Sequence, residues 1–139
     1  MKKALITGGN RSIGLETARQ LLQKGFYVYI GSRDLVKGIE AVDMLKAEGL
    51  TSVKAVRIDM ADEASIINAC AEIGSETEVL DVLINNAGIN GGLPQTATGT
   101  DISVFREVFE TNVFGLVLVT QTFMDLLKKS EQPRIVNVS

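Results

Sequence analysis

The stretch that decides the fold lies at the start of the chain and reads Ala4-Leu5-Ile6-Thr7-Gly8-Gly9-Asn10-Arg11-Ser12-Ile13-Gly14. A short apolar strand over Ala4–Thr7 runs into a turn, and a helical pattern begins at Ser12. Gly8 permits a tight turn, and Gly14 permits close packing of the helix on the strand. The free N–H groups and the dipole at the helix start favour a diphosphate there. Two glycines alone are equally compatible with an ordinary strand-to-helix turn.

Apolar runs alternate with amphipathic stretches along the whole chain. The predicted strands are Ala4–Thr7, Phe26–Ile30, Val53–Ile58, Val79–Ile84 and Arg134–Val138. The predicted helices are Ser12–Lys24 closed by Gly25, Leu35–Glu48 capped by Asp34 and closed by Gly49, Ile66–Ile73 capped by Asp62, and Ser103–Lys129, with a Gly/Thr-rich loop over Gly88–Thr100. Strands separated by helices require crossovers, which indicates an α/β fold with a doubly wound, Rossmann-like parallel sheet. Right-handed connections allow the strand order 3-2-1-4-5, with a ligand at the switch point between strands 1 and 4.

Length and composition restrict the class of protein. The chain has 139 residues, enough for one domain, and 14 Lys and Arg against 17 Asp and Glu give a net charge of −3. That balance gives no general attraction to nucleic acid or to an anionic membrane. The absence of histidine excludes histidine metal sites and Ser-His-Asp triads, and no metal site is expected. A single cysteine, Cys70, and the lack of a signal peptide or a long apolar span predict a cytoplasmic protein with no membrane partner.

Four motifs in order point to one family. They are Thr7-Gly8-x-x-x-Ser12-Ile13-Gly14, Asn85-Asn86-Ala87-Gly88, Asn112 within the last helix, and Arg134-Ile135-Val136-Asn137-Val138-Ser139. Together they resemble the short-chain dehydrogenase/reductase family, and the wording around the first motif is most similar to its carbonyl-reductase branch. The resemblance implies hydride transfer between a nicotinamide cofactor and a small-molecule ketone, aldehyde or alcohol. It also implies that residues 1–139 are the N-terminal, dinucleotide-binding part of a larger single-domain reductase, truncated after strand 5.

The end of strand 2 carries the choice of cofactor. An NAD-binding protein has an acid there for the ribose 2′-hydroxyl, whereas an NADP-binding protein has cations for the 2′-phosphate. Ser32 and Arg33 stand at this end, and Arg11 lies in the glycine-rich turn. Two guanidinium groups can hold a phosphate through charge-assisted hydrogen bonds. We therefore predict that the cofactor is NADP(H). NAD is the alternative if Asp34 binds the ribose rather than capping a helix. In a third interpretation, both arginines are ordinary surface charges.

The resemblance implies further roles for individual positions. It assigns the diphosphate to residues 8–14, namely Gly8, Asn10, Arg11, Ser12, Ile13 and Gly14, although the family usually has glycine where Ser12 stands. It assigns adenine to Asp59 and Met60, the riboses to Asn86, Ala87 and Gly88, and a cofactor contact to Val138 and Ser139. Asn112 is implied as a catalytic residue that kinks its helix and holds a water in the proton relay. The residues themselves leave alternatives open. Asp59 can cap the next turn, the Asn-Asn-Ala-Gly turn can tie strands together, and Asn112 can lie on an exposed helix face.

The Ser, Tyr and Lys that perform the family's chemistry are not all found in this sequence. The only tyrosines are Tyr27 and Tyr29, both in strand 2, and neither is followed by Lys four residues later. By its register Ser139 is either the catalytic serine or its neighbour. We therefore expect the isolated 139 residues to be inactive. The alternative function is a non-catalytic NADP(H)-binding or regulatory module.

Two apolar surfaces predict association between copies of the chain. One is the long helix Ser103–Lys129, and the other is strand 5, an edge that carries Ile135, Val136 and Val138. An exposed apolar edge strand is an association hazard. We expect a homo-oligomer formed through one of these two surfaces.

Overall fold

Five parallel strands form one sheet in the order β3-β2-β1-β4-β5, as predicted. The computed structural model describes residues 1–92 and 95–139, so residues 93 and 94 of the predicted Gly88–Thr100 loop lie outside the described part. The strands are β1 Lys3–Thr7, β2 Tyr27–Ser32, β3 Val53–Arg57, β4 Val82–Asn85 and β5 Arg134–Asn137. The helices are α1 Ser12–Gln23, α2 Leu35–Ala47, α3 Glu63–Glu76, α4 Ile102–Phe109 and α5 Leu116–Lys128, and a π-helical segment Glu110–Gly115 joins α4 to α5.

Helices cover both faces of the sheet, which gives two separate apolar cores. On one face, Ala18 and Leu22 of α1 pack with Leu45 of α2 against the sheet. On the other face, Ile66 of α3 and Phe123 of α5 pack against it. Neighbouring residues in a strand point to opposite faces, so β1 contributes to both cores. This arrangement is the doubly wound architecture that the alternating pattern predicts.

Strand 4 and helix α3 have bounds that differ from the predicted ones, each for its own reason. Strand 4 was expected over Val79–Ile84, yet β4 starts only at Val82. The N–H of Leu80 donates to the carbonyl of Leu126 in α5, so this apolar segment approaches the helix before it joins the sheet. Helix α3 spans Glu63–Glu76 and is longer than the expected Ile66–Ile73, because its outer turns have a polar composition that hides them from an apolar pattern.

The capping predictions had mixed outcomes. The carboxylate of Asp34 accepts from the N–H of Val36 at 3.0 Å, which confirms it as the N-cap of α2. Asp62 occupies the N-cap position of α3, but its carboxylate accepts no N–H of the helix. It accepts instead from Nη1 of Arg57 at 3.1 Å, and that hydrogen bond lowers the pKa of Asp62. A nearby arginine therefore replaces the capping bond that the sequence predicted.

The long helix Ser103–Lys129 is continuous but not uniform. Its middle turn, Glu110–Gly115, is a π-helix, and α4 and α5 flank it. No described helix is both long and apolar enough to cross a membrane. The edge strand β5 leaves Ile135 and Val136 exposed, as the sequence predicted.

Candidate functional site

A cleft of about 540 Å³ opens where the strands end at the carboxyl edge of the sheet. Residues that follow β1, β2, β3 and β4 all contribute to its walls, which is the position expected for a ligand in a doubly wound fold. The lining includes these predicted site residues: Gly8, Asn10, Arg11, Ser12, Ile13, Ser32, Arg33, Asp59, Met60, Asn86, Ala87 and Gly88. Gly14, Asn112, Val138 and Ser139 are not among the lining residues.

The two predicted glycines of the turn have different surroundings. Gly8 has a φ of +63°, and a Cβ there would lie 3.0 Å from Cα of Ala87. A Cβ on Gly14 would lie 2.5 Å from the carbonyl oxygen of Gly8 and 2.6 Å from Nδ2 of Asn86. Gly14 therefore lies behind the cleft and permits close packing, while Gly8 forms part of the wall. A side chain at either position would collide with neighbouring atoms.

The backbone N–H groups at the N-terminus of α1 lack a side-chain cap, and the residues at this end line the cleft. Arg11 occupies the N-cap position with an extended backbone and gives the helix no side-chain cap. The first N–H groups of the helix therefore have no capping partner from that side chain. Ser12 has a φ of +53° and is the only non-glycine residue with a positive φ in the described part of the chain. Its hydroxyl makes no hydrogen bond with any described residue, and Ile13 beside it is 65% exposed.

A hydrogen-bond network ties the ends of β1 and β4 together. The hydroxyl oxygen of Thr7 accepts from the N–H of Asn86 at 3.0 Å and from that of Ala87 at 3.1 Å. The side-chain amide of Asn86 donates to the carbonyls of Thr7 at 3.2 Å and Gly8 at 3.1 Å. The Asn-Asn-Ala-Gly turn therefore ties strands together, as one alternative predicted, and the same residues line the cleft.

Three cationic side chains lie in the cleft wall: Arg11, Arg33 and Lys37. Ser32 stands in the buried part of β2, and its hydroxyl donates to the carbonyl of Asp34 at 2.8 Å. Ser32 is the last residue of β2 and so stands at the strand end, as predicted, although the strand itself was expected to stop at Ile30. Asp34 also lines the cleft, although its carboxylate already caps α2.

The wall beyond β3 is formed by Asp59 and its neighbours. One carboxylate oxygen of Asp59 accepts from the N–H of Ala61 at 3.0 Å, which confirms that it stabilises the next turn. The other oxygen lies 3.9 Å from Nη2 of Arg57. The hydroxyl of Ser65 donates to the carbonyl of Asp59 at 3.1 Å and holds the same turn from behind. The carboxylate therefore has a defined orientation and still borders the cleft.

Asn112 is half-buried, so the interpretation that placed it on an exposed helix face was wrong. Its Oδ1 accepts from the N–H of Ile89 at 2.8 Å, and its Nδ2 donates to the carbonyl of Ile89 at 2.7 Å. Both ends of the amide are therefore bonded to the segment that follows β4. Asn112 holds this segment of the wall without lining the cleft itself.

Residues at the end of β5 and both tyrosines lie outside the cleft lining. The N–H of Val138 donates to the carbonyl of Asn85 at 3.0 Å, which extends the β4–β5 pairing, and Ser139 is exposed. The hydroxyl of Tyr29 donates to Glu76 at 3.0 Å. Burial and the adjacent Glu76 raise the pKa of Tyr29 well above its ordinary value. Cys70 donates to the carbonyl of Thr122 at 3.4 Å, and burial raises the pKa of its thiol, which suits a structural role.

The structure also brings residues to the cleft that sequence reasoning missed. They are Lys37, Ile58, Ala61, Ile89, Glu107 and Thr111. Lys37 had a partial signal, since it lies in the first turn of the predicted helix that follows Ser32 and Arg33. Glu107 and Thr111 had no such signal, because their place in the cleft lining depends on how α4 and the π-segment pack against the rest of the fold.

Comparisons with known proteins agree with this geometry. A family model of short chain dehydrogenases matches residues 2–139. A (+)-neomenthol dehydrogenase of Capsicum annuum is 36% identical over an alignment 172 positions long, gaps included. This alignment covers 98% of this chain and 55% of that protein. The chain thus spans about half the length of the curated relatives it matches.

Solved structures share the fold in the same partial way. A menthone neomenthol reductase from Mentha piperita superposes with a TM-score of 0.90 at 33% identity, covering 99% of this chain and 60% of that one. An NADP complex of Pseudomonas aeruginosa RhlG has a TM-score of 0.88 at 29% identity, covering 98% and 53%. A 3-ketoacyl-(acyl-carrier-protein) reductase from Brucella melitensis complexed with NADH has 0.89 at 30%, covering 99% and 57%. Similar folds therefore bind either cofactor.

Proposed function

The chain belongs to the short-chain dehydrogenase/reductase family, and from this premise we propose that it is the cofactor-binding part of an NADP(H)-dependent reductase of ketones or aldehydes. The observation that carries the choice of cofactor is the cationic wall of the cleft, formed by Arg11, Arg33 and Lys37. Guanidinium and ammonium groups in a cleft lining suit a phosphate, and NADP differs from NAD by one 2′-phosphate. Asp34 offers less for a ribose hydroxyl because it caps α2.

The remaining lining suits the rest of a dinucleotide. The backbone N–H groups at the start of α1 and the hydroxyl of Ser12 would donate hydrogen bonds to the diphosphate. Gly8, which has no side chain, lies beside them. Asp59 and Met60 would contact adenine, and Asn86, Ala87 and Gly88 would contact the riboses. Gly14, Val138 and Ser139 would act indirectly, since they support the wall or extend β5.

When bound, NADPH supplies a hydride to a carbonyl carbon. The residues of this chain hold and orient the cofactor, and Asn112 keeps the wall after β4 in place through Ile89. A catalytic role for Asn112 in a proton relay is part of the proposal. The proton donor is not proposed from this chain, because Tyr27 and Tyr29 lie outside the cleft lining and Tyr29 is bonded to Glu76.

A second candidate function is a non-catalytic NADP(H)-binding module, which would use the same cleft. The two candidates differ in turnover and not in binding. The assay therefore uses the protein at the full length that its source makes, because residues 1–139 alone are expected to be inactive under both candidates. Loss of NADPH absorbance in the presence of a panel of ketones and aldehydes supports the reductase, whereas NADPH binding without any turnover supports the module. In either case the single cysteine suits a reducing compartment, and we place the protein in the cytoplasm.

Titration of the protein with NADPH and NADH tests the cofactor assignment. In Arg33→Glu, we expect the Kd for NADPH to rise by about 10- to 100-fold, because hydrogen bonds to charged groups contribute about 1.5–3 kcal/mol. The Kd for NADH should change by less than about threefold, since that cofactor lacks the phosphate. Lys46→Glu is the matched control, because it reverses a charge in the last turn of α2, away from the helix start that borders the cleft. An equal loss for both cofactors in Arg33→Glu would overturn the 2′-phosphate assignment.

An exposed apolar stripe on the last helix supports association between copies of the chain. Phe109, Val113 and Val117 follow one another at four-residue spacing, and all three are exposed. We include in the proposal that copies of the chain pair through this stripe. The β5 edge is the alternative surface.

A further inference from the structure

The π-helical segment Glu110–Gly115 contacts two different walls of the cleft. At its C-terminal end, Gly115 is buried against the turn that follows β3. A Cβ added to Gly115 would lie 2.6 Å from the carbonyl oxygen of Met60 and 2.8 Å from its Cβ. Real Cβ atoms essentially never approach backbone so closely, and Met60 is part of the cleft lining. The helix backbone therefore lies directly on the wall that borders Asp59.

Three residues earlier, the same segment contacts the wall beyond β4. Asn112 makes two hydrogen bonds to the backbone of Ile89, at 2.8 and 2.7 Å. A Cβ on Gly88 would lie 3.3 Å from Oδ1 of Asn112, so the fit extends to that residue. Strands β3 and β4 are separated in the sheet by β2 and β1. The segment therefore bridges two walls that no pair of adjacent strands connects.

The π geometry explains how one short segment reaches both walls. A π-turn inserts one extra residue into an α-helix, which rotates the following helix by about 100°. After the segment, α5 turns Val119, Phe123 and Leu127 into the core, whereas α4 has no buried residue. π-turns occur frequently at functional sites. Within this π-turn, Asn112 faces Ile89 and Gly115 faces Met60.

We propose that Gly115 is a positioning residue for the adenine end of the bound cofactor. By leaving no side chain between the helix and Met60, it fixes the turn that carries Asp59, while Asn112 independently fixes the wall at Ile89. This inference rests on the proposed function, since it assumes a dinucleotide in this cleft. With adenine beside the turn after β3, the nicotinamide end would lie toward the wall after β4, so Gly115 supports the adenine end and Asn112, through Ile89, supports the other end.

The experiment compares Gly115→Ala with Gly74→Ala. Gly74 lies in α3, and a Cβ there meets nothing within 4 Å, so this control adds the same methyl group in open space. Each variant is titrated with NADPH, with adenosine 2′,5′-bisphosphate as a probe of the adenine end, and with reduced nicotinamide mononucleotide as a probe of the other end. We expect Gly115→Ala to bind NADPH and the bisphosphate about tenfold more weakly, because the inserted methyl group forces the turn to move. Binding of the mononucleotide, and all binding by Gly74→Ala, should stay within about twofold of the unsubstituted protein.

A second variant gives the reciprocal pattern and keeps the test open if Gly115→Ala does not fold. Asn112→Asp retains the acceptor for the N–H of Ile89 but loses the donation to its carbonyl. It should weaken the mononucleotide about tenfold and leave the bisphosphate unchanged. Equal losses for both probes in either variant would overturn the separate supports, as would a folded Gly115→Ala with normal binding. If the unsubstituted protein binds no NADPH, the proposed function fails and this inference fails with it.

Discussion

Ser12→Gly should make the protein more stable and its cofactor binding weaker. Ser12 is held at a φ of +53°, where a residue with a Cβ is disfavoured by about 1–2 kcal/mol. Glycine removes this strain but increases the conformational entropy of the unfolded chain, at a cost of about 0.4–1 kcal/mol. The free energy of unfolding should therefore rise by about 0.5–1 kcal/mol, which corresponds to an increase in Tm of about 2–4 °C for a chain of this size.

The same substitution removes the hydroxyl that we propose for the diphosphate. Ser12 lines the cleft, and its hydroxyl makes no hydrogen bond with any described residue, so a ligand oxygen would be its partner. Loss of that donor should raise the Kd for NADPH by about three- to tenfold. Ser12→Ala separates the two effects, since it retains the strained Cβ and lacks the hydroxyl. It should lose the same affinity and gain little stability.

Urea unfolding of the three forms measures the stability change, and a fluorescence titration with NADPH measures the affinity. Ser75→Gly is the matched control, because Ser75 lies within α3 and its φ is not positive. There the exchange should lower the free energy of unfolding by about 0.5 kcal/mol, opposite in sign to the change at position 12. If Ser12→Gly is no more stable than the unsubstituted protein, or Ser12→Ala is equally stabilised, the reasoning about backbone strain is refuted.

Two further predictions concern the surface away from the cleft. Hydrogen bonds from Lys54, and to a smaller extent from Tyr29, lower the pKa of Glu76 below its ordinary value of 4.5. A lowered carboxyl pKa stabilises the fold above the unfolded pKa, and this stability is lost as the pH falls through the folded pKa. Glu76→Gln should therefore be less stable than the unsubstituted protein by under about 1 kcal/mol at pH 7. In an acid-unfolding series the difference should shrink as the pH falls below 4.5 through the lowered pKa of Glu76, and a constant difference at every pH would contradict the assignment. Val117→Lys places a charge on the exposed stripe of α5 and should shift light-scattering mass toward the monomer, whereas Ile67→Lys, at an exposed apolar site on α3, should not. An unchanged mass for Val117→Lys would point to the β5 edge or to no association.

The sheet order and the cleft position could be predicted from the sequence because both depend on patterns that repeat along the chain. Apolar strands alternate with helices, and right-handed crossovers then leave few topologies. The glycine-rich turn could be placed at the cleft because a tight turn with a φ of +63° favours glycine, which leaves a direct local signal. The N-cap at Asp34 was equally local and was predicted correctly.

Side-chain partners that come from distant elements could not be predicted. The carboxylate of Asp62 faces Arg57 rather than its own helix, and the start of β4 is delayed by a bond from Leu80 to α5. In both cases a contact formed only in the folded chain replaces the one that the local sequence favours. Lys37 is an intermediate case, since its place in the first helical turn after Arg33 was visible in the sequence.

The π-segment shows why a weak local helix signal can mark residues that make tertiary contacts. Thr111, Asn112 and Val113 have low intrinsic helix propensity, and asparagine within a helix competes for backbone hydrogen bonds. Read locally, this composition only lowers the expectation of a helix. In the folded chain the polar amide of Asn112 finds both of its partners on Ile89, and the absent side chain of Gly115 admits Met60. Asn112 and Gly115, which lower the helix propensity of this segment, are thus the residues that connect it to the two walls of the cleft. The contacts with Ile89 and Met60 offset the low propensity, and the local sequence alone does not show them.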